Sequence, residues 1–313
     1  MPEASQVHID AALVNVSVAY SNPDFIASRL APEVPVRKQS DYYFVYDPER
    51  EAMRSTDDQR APGAEANEVN FALSTDRYYC SDHALESAIP DEERANADPP
   101  LQPDIDRVEF LTNKILLNQE IALARALRTS SSLPGQTLSG TDQWSDYQNS
   151  DPLSDVEAAK SAIQQAAQVM PNTLVLPYEV FAKVRFHPAV ADKVQYSGVR
   201  VVGADVLAQV FDVERVLVPR AFQNTAAPGQ PPALEYVWGK DALLCYVPPR
   251  PGLKQVALAC TFLWTMAPGA VQGRVVEVWR EPRRKADLIR VQKYYDQKLI
   301  APAAGFMWKN AVS

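Results

Sequence analysis

The chain has 313 residues, 46% of them hydrophobic, with only 11 glycines and a formal net charge of −8. That is enough apolar material for one large domain or two, and the acidic balance argues against a dedicated nucleic-acid binder, whose affinity comes from neutralising phosphates. The charge is uneven: residues 1–106 carry 21 acids and 8 bases (net −13) and the remainder 18 acids and 23 bases (net +5), which suits either complementary surfaces meeting between copies or two solvated faces.

Residues 1–35 read as an arm. Ile9–Val18 suits a short helix or strand, and Pro23, Pro32 and Pro35 punctuate the remainder of the arm. Its apolar residues are too sparse to bury one another, so the arm has to pack on another part of the chain or on another chain. Residues 36–82 read as a long hairpin. Tyr42, Tyr43, Phe44, Val45 and Tyr46 favour strand, and Val69, Phe71 and Leu73 alternate with polar residues. The polar stretch 47–67 between them, with a turn signal at Pro62-Gly63, is long for a loop inside a compact domain. A tip that projects onto a partner explains it better.

The next stretch, DHALESAIPDEERANADPP, predicts a short helical piece and an acidic, proline-ended connector. From Pro103 to Arg128 apolar residues recur at Ile105, Val108, Leu111, Ile115, Leu116, Ile121, Leu123 and Leu127, near the 3.6 period of a helix. Asp104 or Asp106 is placed to cap the free amides, with Glu109 bonding back, and Arg125 and Arg128 suit the negative end of the dipole. At ~1.5 Å per residue the helix is roughly 40 Å long, a spine on which other elements are laid. Leu116 is taken as an interior position, where a charge would unfold the chain.

Residues 129–153 read as a polar loop anchored by Trp144 and Tyr147, and a second helix opens with the box formed by Ser154 and Glu157. Strands and helices then alternate over 171–262. Strands are predicted at Thr173–Leu176, Val199–Val202, Val213–Val218 and Tyr236–Val247, and helices from Pro177 and over Ala204–Phe211. The remainder, 263–313, is β-like, with strands at Arg274–Glu281 and Asp287–Tyr295.

Motifs that would carry chemistry are missing. Cys80, Cys245 and Cys260 are too few and too scattered for a disulfide framework or a zinc knuckle, and read as reduced thiols. His8, His83 and His187 lie at ligand spacing from no other histidine or cysteine. Cys80 and His83 resemble a catalytic pair in spacing alone. There is no nucleophile elbow or Walker loop, and Gly203 lacks the two further glycines of a dinucleotide fingerprint. Asp91, Glu92 and Glu93 read as a solvated acidic face, and Arg283, Arg284 and Lys285, beside Glu281 and Asp287, as a salt-bridged strand edge. The N-terminus lacks a signal-peptide pattern, and no run approaches the ~18 apolar residues of a membrane span. A soluble cytoplasmic protein is expected, with no catalytic residue, cofactor or metal. An α/β enzyme with its cleft in 171–262 is the alternative from another class.

The succession of arm, hairpin, spine helix, α/β unit and β return resembles the major capsid proteins of tailed bacteriophages, the Hong Kong 97-type fold. Leu30-Ala-Pro-Glu-Val-Pro-Val36 and Tyr43-Phe-Val-Tyr-Asp47 resemble that family's arm-to-hairpin junction. Arg60-Ala-Pro-Gly-Ala64 and Tyr78-Tyr-Cys-Ser-Asp82 resemble the hairpin tip and return, and Ile89-Pro-Asp-Glu-Glu93 with Asn96-Ala-Asp98 the approach to the spine helix. The resemblance implies an α+β fold with an N-arm (1–35), an E-loop (36–82), a P-domain (83–170 and 263–313, spine helix about 104–128) and an A-domain (171–262). It implies a structural, non-enzymatic subunit of an icosahedral virion head. Such a subunit assembles in the host cytoplasm as hexamers and pentamers into a shell that encloses DNA without reading its sequence. The partners implied are further copies of the chain, a portal, a decoration protein and, since the arm begins almost at Met1, either a separate scaffolding protein or a leader removed before this sequence begins. Lys38 is the hairpin's one lysine, and no glutamate and asparagine partner for self-crosslinking is identified. An encapsulin-like nanocompartment shell with an enzyme cargo shares the fold and is the alternative. Combined with the charge asymmetry, the resemblance gives candidate inter-subunit contacts: Glu49, Glu51, Asp57 and Asp58 on the hairpin, and Arg280, Arg283, Arg284, Lys285 and Arg290 on the basic remainder.

Overall fold

In the computed structural model, which describes residues 8–45, 58–60, 63, 65, 66, 68, 74–194, 201–253 and 255–313, the arm folds back on its own chain. Strand β1 (His8–Ile9) leads into helix α1 (Ala11–Ala19), capped by Asp10, whose Oδ1 accepts from the Ala12 and Leu13 amides at 2.9 and 3.1 Å. The single turn α2 (Ala27–Leu30) and strand β2 (Glu33–Val36) come after it. Val14, Ile26 and Leu30 are fully buried, each against the long helix over 103–129. A sparse apolar sequence is thus buried by packing on a longer element of the same subunit.

Strands β3 (Ser40–Val45) and β4 (Ser74–Tyr79) pair antiparallel, Ser40 opposite Tyr79 and Val45 opposite Ser74, as the stem of the expected hairpin. Val69, Phe71 and Leu73 lie outside the described residues. The helical piece expected next is instead a ten-residue strand, β5 (Ser81–Pro90), and helix is confined to α3 (Asp91–Ala95). The reason is tertiary. Good helix formers in this stretch are overridden by pairing along their whole length with a strand more than 190 residues later.

The predicted spine is α4 (Pro103–Thr129), 27 residues long. Gln102 takes the N-cap position, with Pro103, which has no amide to leave unpaired, in the first turn. Neither Asp104 nor Asp106 caps it. Asp106 reaches back to the Gln102 amide at 3.1 Å, the part expected of Glu109. The apolar stripe divides in two. Val108, Leu111 and Ile115 pack with Val14, Val276, Ile289 and Val291, whereas Leu123, Ala124 and Leu127 pack with Ile26, Leu30, Trp238 and Met307.

Beyond it come β6 (Gly135–Thr137), α5 (Pro152–Ala167), β7 (Thr173–Val175), α6 (Tyr178–Val184), α7 (Pro188–Val194) and α8 (Ala204–Val210). Asp151 caps α5, accepting from the Leu153 and Ser154 amides at 3.1 and 3.4 Å, so the helix begins before the expected Ser154 box. Glu157 pairs instead with buried Lys160 at 2.7 Å. Pro188 divides the helix expected from Pro177, and Val201 and Val202 lie in no strand. Strands β8 (Arg215–Leu217), β9 (Phe222–Asn224), β10 (Leu234–Tyr236), β11 (Ala242–Cys245), β12 (Ala259–Trp264), β13 (Arg274–Glu281), β14 (Ala286–Leu299) and β15 (Gly305–Lys309) complete the chain. A turn through Gly239, whose φ of +56° disfavours other residues, splits the strand expected at Tyr236–Val247.

Two sheets flank the long helix. The first runs β1-β13-β14-β12-β2 with β5 on the free edge of β14, and the arm's β2 joins it parallel to β12, Val34 opposite Phe262. The second runs β6-β15-β11-β7-β8 and draws in β6 and β15 from far outside 171–262. Its core holds Ile163, Leu174, Phe181, Leu207, Trp144 and Trp308. Trp144 is fully buried with its Nε1 donating to Asp155 at 2.8 Å, so the polar 129–153 loop closes this core.

The long helix corrects one expectation. Ile115 is 4% exposed in the first half-core, but Leu116 is only half-buried and lines a recess of about 90 Å³. Ile115→Ala is therefore expected to cost about 2–4 kcal/mol in denaturant unfolding, and Leu116→Ala clearly less. Equal losses would mean that the helix is rotated from this placement.

Candidate functional site

Between the two apolar halves of α4 lies a buried polar seam that holds the arm. Gln119 and Glu120 are 1% and 0% exposed. The Glu120 carboxylate accepts from the Ile26 amide at 3.0 Å, the Ala27 amide at 2.6 Å and the Trp238 indole Nε1 at 2.6 Å. It thereby takes up the free amides at the start of α2, where negative charge is favoured. Burial pushes its carboxyl upward and these donors pull it back. Beside it Lys293 of β14, 2% exposed, donates to Glu33 of β2 at 2.7 Å and to Gln119 at 2.8 Å. Burial opposes ionisation of Glu33, but Lys293 and Arg274 outweigh it and hold the carboxyl below its usual range. Burial likewise lowers Lys293. Arg274 of β13 donates to the Ser17 carbonyl, closing the seam over α1. Sequence reasoning missed all of this. The available signal was a pair of polar residues inside the helical stripe and a lysine inside a strand.

A second network, on the surface, crosses the start of the long helix. Arg280 meets both oxygens of Asp91 at 2.5 Å each, and also Asp287 at 3.3 Å. Arg94 bridges Asp287 at 2.5 Å and Asp104 at 2.6 Å. Arg290 pairs with Glu86 at 3.1 Å and Glu277 at 3.3 Å and lies over the Trp279 ring. Two of the five basic candidates, Arg280 and Arg290, therefore serve ion pairs within the subunit. Arg283, Arg284 and Lys285 form the exposed turn between β13 and β14, and none forms an ion pair with a described residue. Asp58 is exposed; Glu49, Glu51 and Asp57 lie outside the described residues.

The groups that suggested chemistry are structural. Cys80 is buried against the Phe262 carbonyl, its thiol pushed up by burial to about 12, and His83 stacks on Tyr295 at 4.0 Å, so their spacing makes no dyad. His187 is buried with Nδ1 accepting from the Ala189 amide at 3.2 Å, so its proton is on Nε2, facing Ser150 Oγ at 3.2 Å. That hydroxyl donates to the Asp146 carbonyl at 2.7 Å. A histidine that donates to a serine cannot act as its base. Among the described residues no three His, Cys, Asp or Glu side chains gather as metal ligands, and no helix is long and apolar enough to cross a membrane.

The hairpin stem, the arm added to a sheet and the long helix between two sheets are the parts of a Hong Kong 97-type fold. Structural comparison agrees. A phage-related protein of Bordetella bronchiseptica superposes with a TM-score of 0.73 at 24% identity, covering 97% of each chain. A chain of the capsid structure of the cyanophage P-SCSP1u superposes at 0.58 and 10% identity, over 93% of this chain and 89% of its own. No protein-family model matches the sequence. A curated relative does: the major capsid protein of Pseudomonas phage JBD67 is 31% identical over 97% of both chains. The chain belongs to the phage major capsid protein family.

The seam generates two expectations. Glu120→Ala leaves the Ile26, Ala27 and Trp238 donors buried without an acceptor and should cost about 3 kcal/mol or more, against about 1 kcal/mol for Trp238→Phe. A neutral Glu120→Ala would show that water reaches the seam. Because the Glu33 carboxyl is held down in the folded protein, its contribution is complete above its ordinary value of 4.5 and fades as pH falls below that. Acidification from neutrality through this window should destabilise the wild type more than Glu33→Gln. Parallel pH curves would remove the Glu33 pair from the acid response.

Proposed function

We propose that this chain is the structural subunit of an icosahedral phage head, self-assembling as hexamers and pentamers into the shell that encloses the viral DNA. The observation that carries the reading is the 31% identity to a major capsid protein over 97% of both chains. The division into N-arm, E-loop, P-domain and A-domain at the boundaries expected from the sequence belongs to the same proposal, as do assembly in the host cytoplasm and a separate scaffolding protein. In this reading the subunit's chemistry is contact, not catalysis. The E-loop reaches a neighbouring copy, and Arg283, Arg284 and Lys285, free of ion pairs within the described part of their own subunit, are available to it. The test is sedimentation and negative-stain imaging of the expressed protein, alone and with the neighbouring open reading frames. Closed shells are expected, and particles with a protein cargo and no DNA-packaging partner would favour the nanocompartment alternative. Discrete small oligomers under every condition would overturn the shell reading.

If the hairpin serves assembly, deleting residues 49–66 should leave the thermal midpoint nearly unchanged, because the stem is rooted separately. Phe262 lies against Tyr43 and Tyr78, with ring centroids at 5.1 and 4.7 Å. Shell yield should fall steeply. Normal yield from the deletion variant would reduce the hairpin to a surface loop.

A further inference from the structure

The recess at the C-terminal end of α4 has no part in the seam or the surface network. It encloses about 400 Å³ and is lined by Arg125, Arg128, Thr137, Gln223, Asp241 and Lys309, so three cations face one carboxylate. That carboxylate is already committed. Asp241 is 5% exposed, its Oδ2 takes Arg128 Nε at 2.6 Å, and its Oδ1 takes the Asn310 amide at 2.9 Å. The Arg128 guanidinium also packs on the turn at Gly239, where a Cβ would stand 3.3 Å from Nη2. The Arg128 side chain, 42% exposed, is thus held at its Nε and rests on the Gly239 turn with its two terminal nitrogens left over as donors. Arg125 and Lys309 are exposed, and neither forms an ion pair with a described residue. Helix-end arginines often do no more than offset the helix dipole. Here one is clamped by a buried acid, and a lysine from another element completes a net positive recess.

A fixed guanidinium presents parallel donors that match the two oxygens of a carboxylate. We propose that this recess receives a carboxylate side chain of a second copy of the chain, drawn from its acidic stretch 1–106 (net −13). Charge complementarity selects that occupant over DNA. The chain as a whole carries −8, and the cations are gathered in a walled recess beside Thr137 and Gln223 instead of along an open stripe that phosphates could follow. The proposal rests on the shell reading.

The test pairs a variant with a direct contact map. Arg125→Glu combined with Lys309→Glu should keep the wild-type circular dichroism, with a thermal midpoint lowered by no more than the small loss of a helix-end cation, since neither side chain has an ion-pair partner among the described residues. Its shell yield at near-physiological salt should fall roughly tenfold or more, as like charges are then opposed across the interface. Wild-type shells assembled from a mixture of ¹⁴N and ¹⁵N copies are coupled with a zero-length carbodiimide and read by mass spectrometry. The expected product joins Lys309 of one copy to an Asp or Glu within residues 1–106 of the other isotope. Cross-links confined to single copies, a variant that assembles like wild type, or one that assembles normally but retains less DNA would each overturn the proposal while leaving the shell reading intact. Absence of shells from the wild type would overturn the shell reading, and this proposal with it.

Discussion

The fold depends on one carboxylate. Glu120 sits where the two apolar halves of α4 meet, and its hydrogen bonds join three separate parts of the chain: the helix supplies the accepting carboxylate, the arm two backbone amides, and the 237–240 turn an indole. Apolar contacts alone specify position weakly. The arm's Ile26 and Leu30 would bury similar area if displaced along the helix. A buried acceptor with directed donors does not tolerate that shift, because every displaced position leaves charge and amides unpaired at about 1–3 kcal/mol each. The directed bonds of the seam therefore favour one register of the arm on the helix.

Lys293 extends the same logic to the first sheet. It lies in β14, the central strand that pairs β5 along one edge and β13 and β12 along the other, and it bonds Glu33 of β2 in the same sheet and Gln119 of α4. The arm is therefore tied twice within about seven residues, at Ile26–Ala27 through Glu120 and at Glu33 through Lys293. Between these ties the chain has little freedom, and immediately beyond them β2 enters the sheet beside β12. The stem β3–β4 then leaves from a fixed origin, with Phe262 of the same β12 between its tyrosines. The order is physical: the helix fixes the arm, the arm completes the sheet, and the sheet aims the hairpin.

How far this could be read in the sequence depends on where each signal resides. The long helix was legible because its stripe is local and periodic, and the β3–β4 stem because Tyr42–Val45 favours strand on its own. Residues 81–90 were not legible: His-Ala-Leu-Glu-Ser-Ala-Ile favours helix locally, and its partner Ala286–Tyr295 lies far along the chain. For the same reason β6 and β15 could not be assigned to the second sheet, since short strands carry little pattern and gain their identity from pairing. The start of α5 was misplaced because two cap signals overlap, and Asp151 followed by Pro152 prevails over Ser154 by beginning the helix earlier. Gln119 and Glu120 left only a faint trace, two polar residues within an apolar stripe, whose meaning required knowing that an arm lies over them.

The charged surface shows how pairing within a subunit narrows what remains for contact between subunits. The acidic stretch around Asp91 and the basic β-return attract one another in sequence terms, and in the folded chain they already meet: Asp91 with Arg280, Asp287 with Arg94 and Arg280, Glu86 with Arg290. Part of the opposite charge of the two halves is therefore neutralised within the subunit. Cations that form no ion pair with a described residue include those of the β13–β14 turn and, at the C-terminal end of α4, Arg125 and Lys309. Those two positions differ in kind. The turn presents exposed side chains, where each pair is weak and screened by salt. The helix end presents a guanidinium fixed by Asp241 and the Gly239 turn, so less side-chain entropy is lost when a partner docks.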